Sequence, residues 1–67
     1  MKITLNNNPE IIEGNSITVN HLLRVKNFTF KMLIIKINGT LVQKAAYETT
    51  AIHDGDEVSV LHLISGG

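Results

Sequence analysis

Glu57-Val58-Ser59-Val60-Leu61-His62-Leu63-Ile64-Ser65-Gly66-Gly67 closes the chain, and its reading decides the fold. Val58 and Val60 alternate with Glu57 and Ser59, the period of a half-buried strand. The apolar run continues to Ile64 and stops at Ser65-Gly66-Gly67. Glycine has no Cβ, packs nothing and forms strands poorly. The strand therefore reads as an anchor, and residues 64–67 read as a flexible tail protruding from a single domain over 1–67.

Working backward, residues 54–56 (Asp-Gly-Asp) form a turn into that strand. The stretch 43–52 has no clear period and accommodates one helical turn near 45–47. Residues 33–38 read as a strand with Leu33, Ile35 and Ile37 on one face and Ile34 and Lys36 on the other. Lys36 marks the second face as open, which leaves Met32 and Ile34 on or near the surface. Asn38-Gly39 ahead of Thr40-Leu41-Val42 is a hairpin signal, because a type I′ turn needs positive φ at both central positions. Residues 28–31 fit either loop or strand.

Thr18 is placed to cap a short helix whose Val19, Leu22 and Leu23 form one apolar stripe, fading by Asn27. Before it, Met1, Ile3 and Leu5 alternate with Lys2 and Thr4. Asn6-Asn7-Asn8-Pro9 is a turn, residues 10–13 return as a strand, and residues 14–16 break it. The order is strand, strand, helix, strand, short strand, strand: an α+β chain with a helix on one face of a sheet. Its expected core is Ile3, Leu5, Val19, Leu22, Leu23, Ile35, Ile37, Ile52, Val58 and Val60.

Composition narrows function. Sixty-seven residues with 43% apolar content make one small domain. Such a chain buries about 60% of the surface exposed on unfolding. Six basic residues balance six acidic ones, so no basic face for nucleic acid is expected. The longest apolar run, 32–35, is too short to span a membrane, and the start reads as a strand, so a cytoplasmic protein is expected. With no cysteine, disulfide, zinc-thiolate and side-chain persulfide chemistry are excluded.

No active site can be assembled from what remains. His21, His53 and His62 lack metal-ligand spacing, so no metal is expected. Asp54 and Asp56 flank a turn glycine, and the serines have no nucleophile elbow. The α-carboxylate of Gly67 is ionised at neutral pH and can attack an activated phosphate that a partner positions. Glycines at 66 and 67 would let a narrow channel approach the backbone closely. Four extended residues, 64–67, reach about 13–14 Å. The residues alone leave two readings open: a chain end that does chemistry in a partner's site, or a frayed terminus.

The chain resembles the ThiS family of sulfur carriers in thiamine thiazole biosynthesis, within the ubiquitin-like β-grasp group. The likeness is carried by Thr18-Val19-Asn20-His21-Leu22-Leu23, by residues 35–42 (Ile-Lys-Ile-Asn-Gly-Thr-Leu-Val), and by Asp54-Gly55-Asp56 running through the last strand to Gly66-Gly67. Ser65 stands where the family usually has another small residue. The resemblance implies a β-grasp fold: a mixed sheet of four to five strands, first and last parallel and adjacent, with one main helix on one face. It implies a carrier without its own active site and with no bound cofactor. A ThiF-like adenylyltransferase would use ATP on the Gly67 carboxylate, a cysteine desulfurase or other donor would supply sulfur, and the thiazole synthase ThiG would consume the thiocarboxylate. Partner contacts are expected from Ile64 and Ser65 in the tail and from Leu61, Leu63 and Ile34 on the open face, with the protein alone a monomer. The alternatives are a small subunit of molybdopterin synthase or another sulfur carrier, a ubiquitin-like modifier, and a non-covalent β-grasp module.

Overall fold

The computed structural model describes residues 1–28 and 32–62. Its strands are β1 (Lys2–Leu5), β2 (Asn8–Ile11), β3 (Ser16–Thr18), β4 (Leu33–Ile37), β5 (Thr40–Val42), β6 (Ala51–His53) and β7 (Glu57–His62). Helix α1 (Val19–Val25) follows β3, and a 3₁₀ turn (Lys44–Ala46) follows β5. Five strands form one sheet in the order β2-β1-β7-β4-β5, and β3 pairs with β6 in a second, two-stranded sheet. β7 runs parallel to β1 and antiparallel to β4. This is the mixed β-grasp sheet expected from the resemblance, with first and last strands adjacent.

The first hairpin is tighter than the sequence predicts. Asn6 and Asn7 both take positive φ, 50° and 67°, so they alone form the turn. Leu5 then faces Asn8, and the returning strand runs over Asn8–Ile11, earlier than the expected 10–13. Asparagine tolerates the left-handed region, which makes Asn-Asn a workable type I′ pair. Asn38 and Gly39, with φ of 51° and 83°, do the same between β4 and β5.

Helix α1 is framed by its caps. Thr18 Oγ1 accepts from the His21 N–H at 3.1 Å. At the other end, Phe28 N–H donates to the Leu23 carbonyl at 2.8 Å and Asn27 N–H to the Arg24 carbonyl at 3.1 Å. Asn27 supplies the left-handed φ of 59° that this Schellman arrangement requires. The Lys26 ammonium also pairs with Glu10 on β2, fastening the helix end to the sheet edge.

Nine of the ten expected core residues are buried, with Leu22, Ile35 and Ile52 fully so. Ile37 differs: it ends β4 beside the turn and is only half-buried against the core. Ile12, Ile17 and Val42 complete the core. Ile17 enters it because β3 pairs with β6, placing Ile17 opposite Ile52.

The left-handed cap gives a direct test. Asn27→Val should lower stability by about 1–2 kcal/mol, whereas Asn27→Gly should be neutral or stabilising, as measured by urea unfolding.

Candidate functional site

β7 is the strand to which any C-terminal site must be anchored. Its buried side chains, Val58 and Val60, point into the core beneath α1. Its other face is set by register. Ile34 lies opposite Leu61, Lys36 opposite Ser59, and Leu41 opposite Lys36. Residues paired across a sheet share a face. The open face therefore carries Ile34, Lys36, Leu41, Ser59 and Leu61 together across three strands.

Leu61 is 52% exposed and Leu41 53%, while Ile34 is half-buried between them and its neighbours. Met32 is exposed just before β4. The structure thus brings two of the expected partner-binding residues, Ile34 and Leu61, directly side by side. Leu63, Ile64, Ser65, Gly66 and Gly67 lie outside the described residues. Nothing in the local sequence pattern singles out Leu41. Its place follows from the two-residue turn at 38–39, which fixes Lys36 against Leu41.

An open groove of about 420 Å³ runs along this face, with Thr4, Asn6, Lys36, Ser59 and Leu61 among its lining. Its floor is β7. One wall exists because β1 leaves the sheet early: the parallel ladder joins only Thr4 to Glu57 and Leu5 to Val58. Past that point the Asn6 side chain takes over, its Oδ1 accepting from the Val60 N–H at 2.8 Å.

The entry of β7 is held by a polar clamp. The Asn38 N–H donates to the Glu57 carbonyl at 2.7 Å, and Asn38 Oδ1 accepts from the Glu57 N–H at 2.9 Å. Asn38 Nδ2 donates to Asp56 Oδ1 at 3.0 Å, while Asp56 Oδ2 accepts from the His53 N–H at 2.8 Å. Asp54 Oδ1 meanwhile accepts from the Lys2 N–H at 2.7 Å. The His53 backbone N–H holds the Asp56 carboxyl below its ordinary value, helped by the Asn38 amide and the His53 charge and partly opposed by burial. The acidic pair at 54 and 56 is therefore structural. Among the described residues, no group of three or more His, Asp or Glu is placed to hold a metal, and no helix is long and apolar enough to cross a membrane.

A sheet whose central strand leads to a Gly-Gly end, beside an apolar open face, invites comparison with known proteins. The model of the ThiS family matches residues 3–67. The chain belongs to the ThiS family. Its backbone superposes on the crystal structure of the thiamine biosynthesis protein ThiS from Geobacter metallireducens with a TM-score of 0.89, at 29% identity and with 100% of each chain covered. The solution NMR structure of a thiamine biosynthesis protein from the same organism gives a TM-score of 0.80 at 29% identity, covering 100% of this chain and 88% of that one. No curated protein matches this ThiS-family sequence.

The clamp predicts an acid dependence. A carboxyl whose folded pKa is depressed contributes stability above its unfolded value, and that contribution is lost as pH falls through the folded value. Asp56→Ala should cost about 1–2 kcal/mol at pH 7 through two lost hydrogen bonds. The gap between variant and wild type should narrow once pH drops below the ordinary value of 3.8. Urea unfolding from pH 7 to pH 2 reads both effects.

Proposed function

We propose that this protein is a sulfur carrier of thiamine thiazole biosynthesis that works through the carboxylate of Gly67. The observation carrying the reading is the ThiS-family match, which continues through Gly66 and Gly67. The ThiS likeness over the whole fold supports the coarser role of a thiamine-pathway carrier.

In this proposal the protein is a co-substrate and not an enzyme. A ThiF-like partner binds ATP, and a Gly67 carboxylate oxygen attacks the α-phosphorus. Pyrophosphate leaves and an acyl-adenylate forms. Sulfide attacks the acyl carbon directly, or a persulfide from a cysteine desulfurase or another donor attacks it to give an acyl disulfide. A thiol then cleaves the S–S bond of that acyl disulfide, being oxidised to a disulfide with the donor. On either route AMP departs, and a thiocarboxylate remains. ThiG takes that sulfur into the thiazole ring. Each step occurs in a partner's site, which residues 64–67 reach as an extended thread of about 13–14 Å. Ile64 and Ser65 line that thread, and the glycines keep its tip narrow.

The body must dock outside while the thread enters. Ile34 and Leu61, paired on the open face, supply an apolar contact there, and Leu63, which shares sequence parity with Leu61, is assigned to the same contact in this proposal. Contacts of this kind concentrate binding energy in a few residues near the centre of an interface.

Intact mass after incubation with a ThiF-type enzyme, ATP and a sulfide source tests the chemistry. The expected result is replacement of one oxygen by sulfur at Gly67. No change with an active ThiF-type enzyme, but conversion by a molybdopterin-type activating enzyme, would move the protein to the other pathway. The docking face is tested by Leu61→Asp. Adenylation efficiency, kcat/KM, should fall about tenfold or more, while unfolding stability stays within about 0.5 kcal/mol of wild type. An unaffected rate in the folded variant would remove Leu61 from the interface.

A further inference from the structure

The Asn38 clamp combines an exposed asparagine, a following glycine and a neighbouring carboxylate. Six other asparagines precede a different residue: Asn6, Asn7, Asn8, Asn15, Asn20 and Asn27 are followed by Asn, Asn, Pro, Ser, His and Phe. Asn38 alone precedes glycine. The backbone nitrogen of a glycine carries no side-chain screen and is the least hindered nucleophile toward the preceding carboxamide.

We propose that Asn38 is a deamidation site, protected while the clamp is closed, and that its conversion to an acid loosens the entry of β7. In the reaction, the Gly39 backbone nitrogen loses its proton and attacks Asn38 Cγ. The Cγ–Nδ2 bond breaks and ammonia leaves, closing a five-membered succinimide. Water then opens the ring at either carbonyl, giving aspartate or isoaspartate at 38. No oxidant or reductant takes part.

The folded geometry opposes the first step. Both polar atoms of the carboxamide are committed to the β7 side, Oδ1 to the Glu57 N–H and Nδ2 to Asp56. The main chain at 38 is held as well, through the hydrogen bond from its N–H to the Glu57 carbonyl. For Cγ to meet Gly39 N, the two side-chain bonds must break and the turn must leave its positive-φ geometry. The reaction therefore proceeds from an opened turn, which for an exposed two-residue hairpin forms without global unfolding.

The product cannot restore the clamp. An aspartate at 38 still accepts from the Glu57 N–H but has no hydrogen for Asp56 Oδ1. It sets two carboxylates at the spacing where an amide and a carboxylate were bonded at 3.0 Å. The other Asp56 oxygen is already taken by the His53 backbone N–H. Isoaspartate also adds a backbone carbon to a turn that has only two residues. Either product weakens the first pairing of β7, the strand that runs on toward Gly67.

The test is peptide mapping of the intact protein aged at mildly alkaline pH, with the Asn38→Asp variant made in parallel. The amide-to-acid mass gain should accumulate several-fold faster at Asn38 than at any other asparagine. It should accelerate further in Asp56→Ala, which removes the partner of Nδ2. Asn38→Asp should melt below wild type, and adding Asp56→Asn should recover most of the loss by removing the repulsion. Asn38→Gly, which keeps the turn without adding charge, should melt above Asn38→Asp. Modification no faster at Asn38 than at Asn7 or Asn15 would overturn the site. A Tm of Asn38→Asp equal to wild type, or no recovery with Asp56→Asn, would overturn the loosening. Should Asn38→Asp fail to fold, the double variant alone decides: folding of the double variant supports the repulsion, and its failure overturns it.

Discussion

Two residue pairs, Thr4 with Glu57 and Leu5 with Val58, join the beginning of this chain to its end. Parallel strands cannot be linked by a tight turn, so everything between them must form the crossover. Strand β2, helix α1, the small β3–β6 sheet, the β4–β5 hairpin and the 3₁₀ turn are what that crossover contains. The pairing is short, and its entropic cost of closure is that of a loop of about fifty residues. Neighbouring hydrogen bonds reinforce it: Thr4 N–H to the Asp56 carbonyl, Asn6 N–H to the Val58 carbonyl, and Asn6 Oδ1 to the Val60 N–H. The side-chain bond extends the ladder where the main chain of β1 has already turned away. Non-local contacts of this kind favour slower folding than the local hairpins at 6–7 and 38–39.

The same arrangement separates stability from recognition. One face of the sheet is closed by α1, and its residues, Ile3, Leu5, Ile35, Val58 and Val60, are all buried. The opposite face is not covered by the helix, so of its apolar members Leu41 and Leu61 stand exposed and Ile34 is half-buried. In a domain this small a second packed face would be the obvious source of extra stability. Leaving it open is consistent with a protein that works by meeting partners. Polar stitching compensates at the turns, where Asn6, Asn38 and Asp54 each hold a backbone N–H from another part of the chain and Asp56 holds that of His53 within its own turn.

Much of this was legible in the residues. Alternation about Val58 and Val60 located the central strand, Thr18 and the Val19–Leu22–Leu23 stripe located the helix, and Asn38-Gly39 located the second hairpin. The ThiS resemblance supplied the strand order, which no local pattern contains. What escaped the reading has a common physical cause. β3 and β6 are three residues each, and their stabilisation comes from pairing with each other across more than thirty positions. Neither Ile17 nor Ile52 sits in a periodic run long enough to announce a strand. Pro9 suggests a later corner for the first turn, whereas positive φ at Asn6 and Asn7 closes it sooner. Ile34 and Leu61 were legible as an open face by parity, and Leu41 joined them only once register was known.

Pro9 has a different role. It sits in β2, an edge strand, opposite Thr4. The Thr4 N–H is turned toward β7, where it donates to the Asp56 carbonyl. In an antiparallel pair the facing residue then directs its own nitrogen outward, away from β1. That is the one orientation in which a ring nitrogen costs the sheet no bond. It also deletes a donor from the edge that a stray strand would need for pairing. The opposite edge, β5, is only three residues long. A protein with an exposed apolar sheet face is thus given two edges that are poor templates for intermolecular β-pairing, so the surface that can attract a partner is not backed by borders that recruit copies of itself into aggregates.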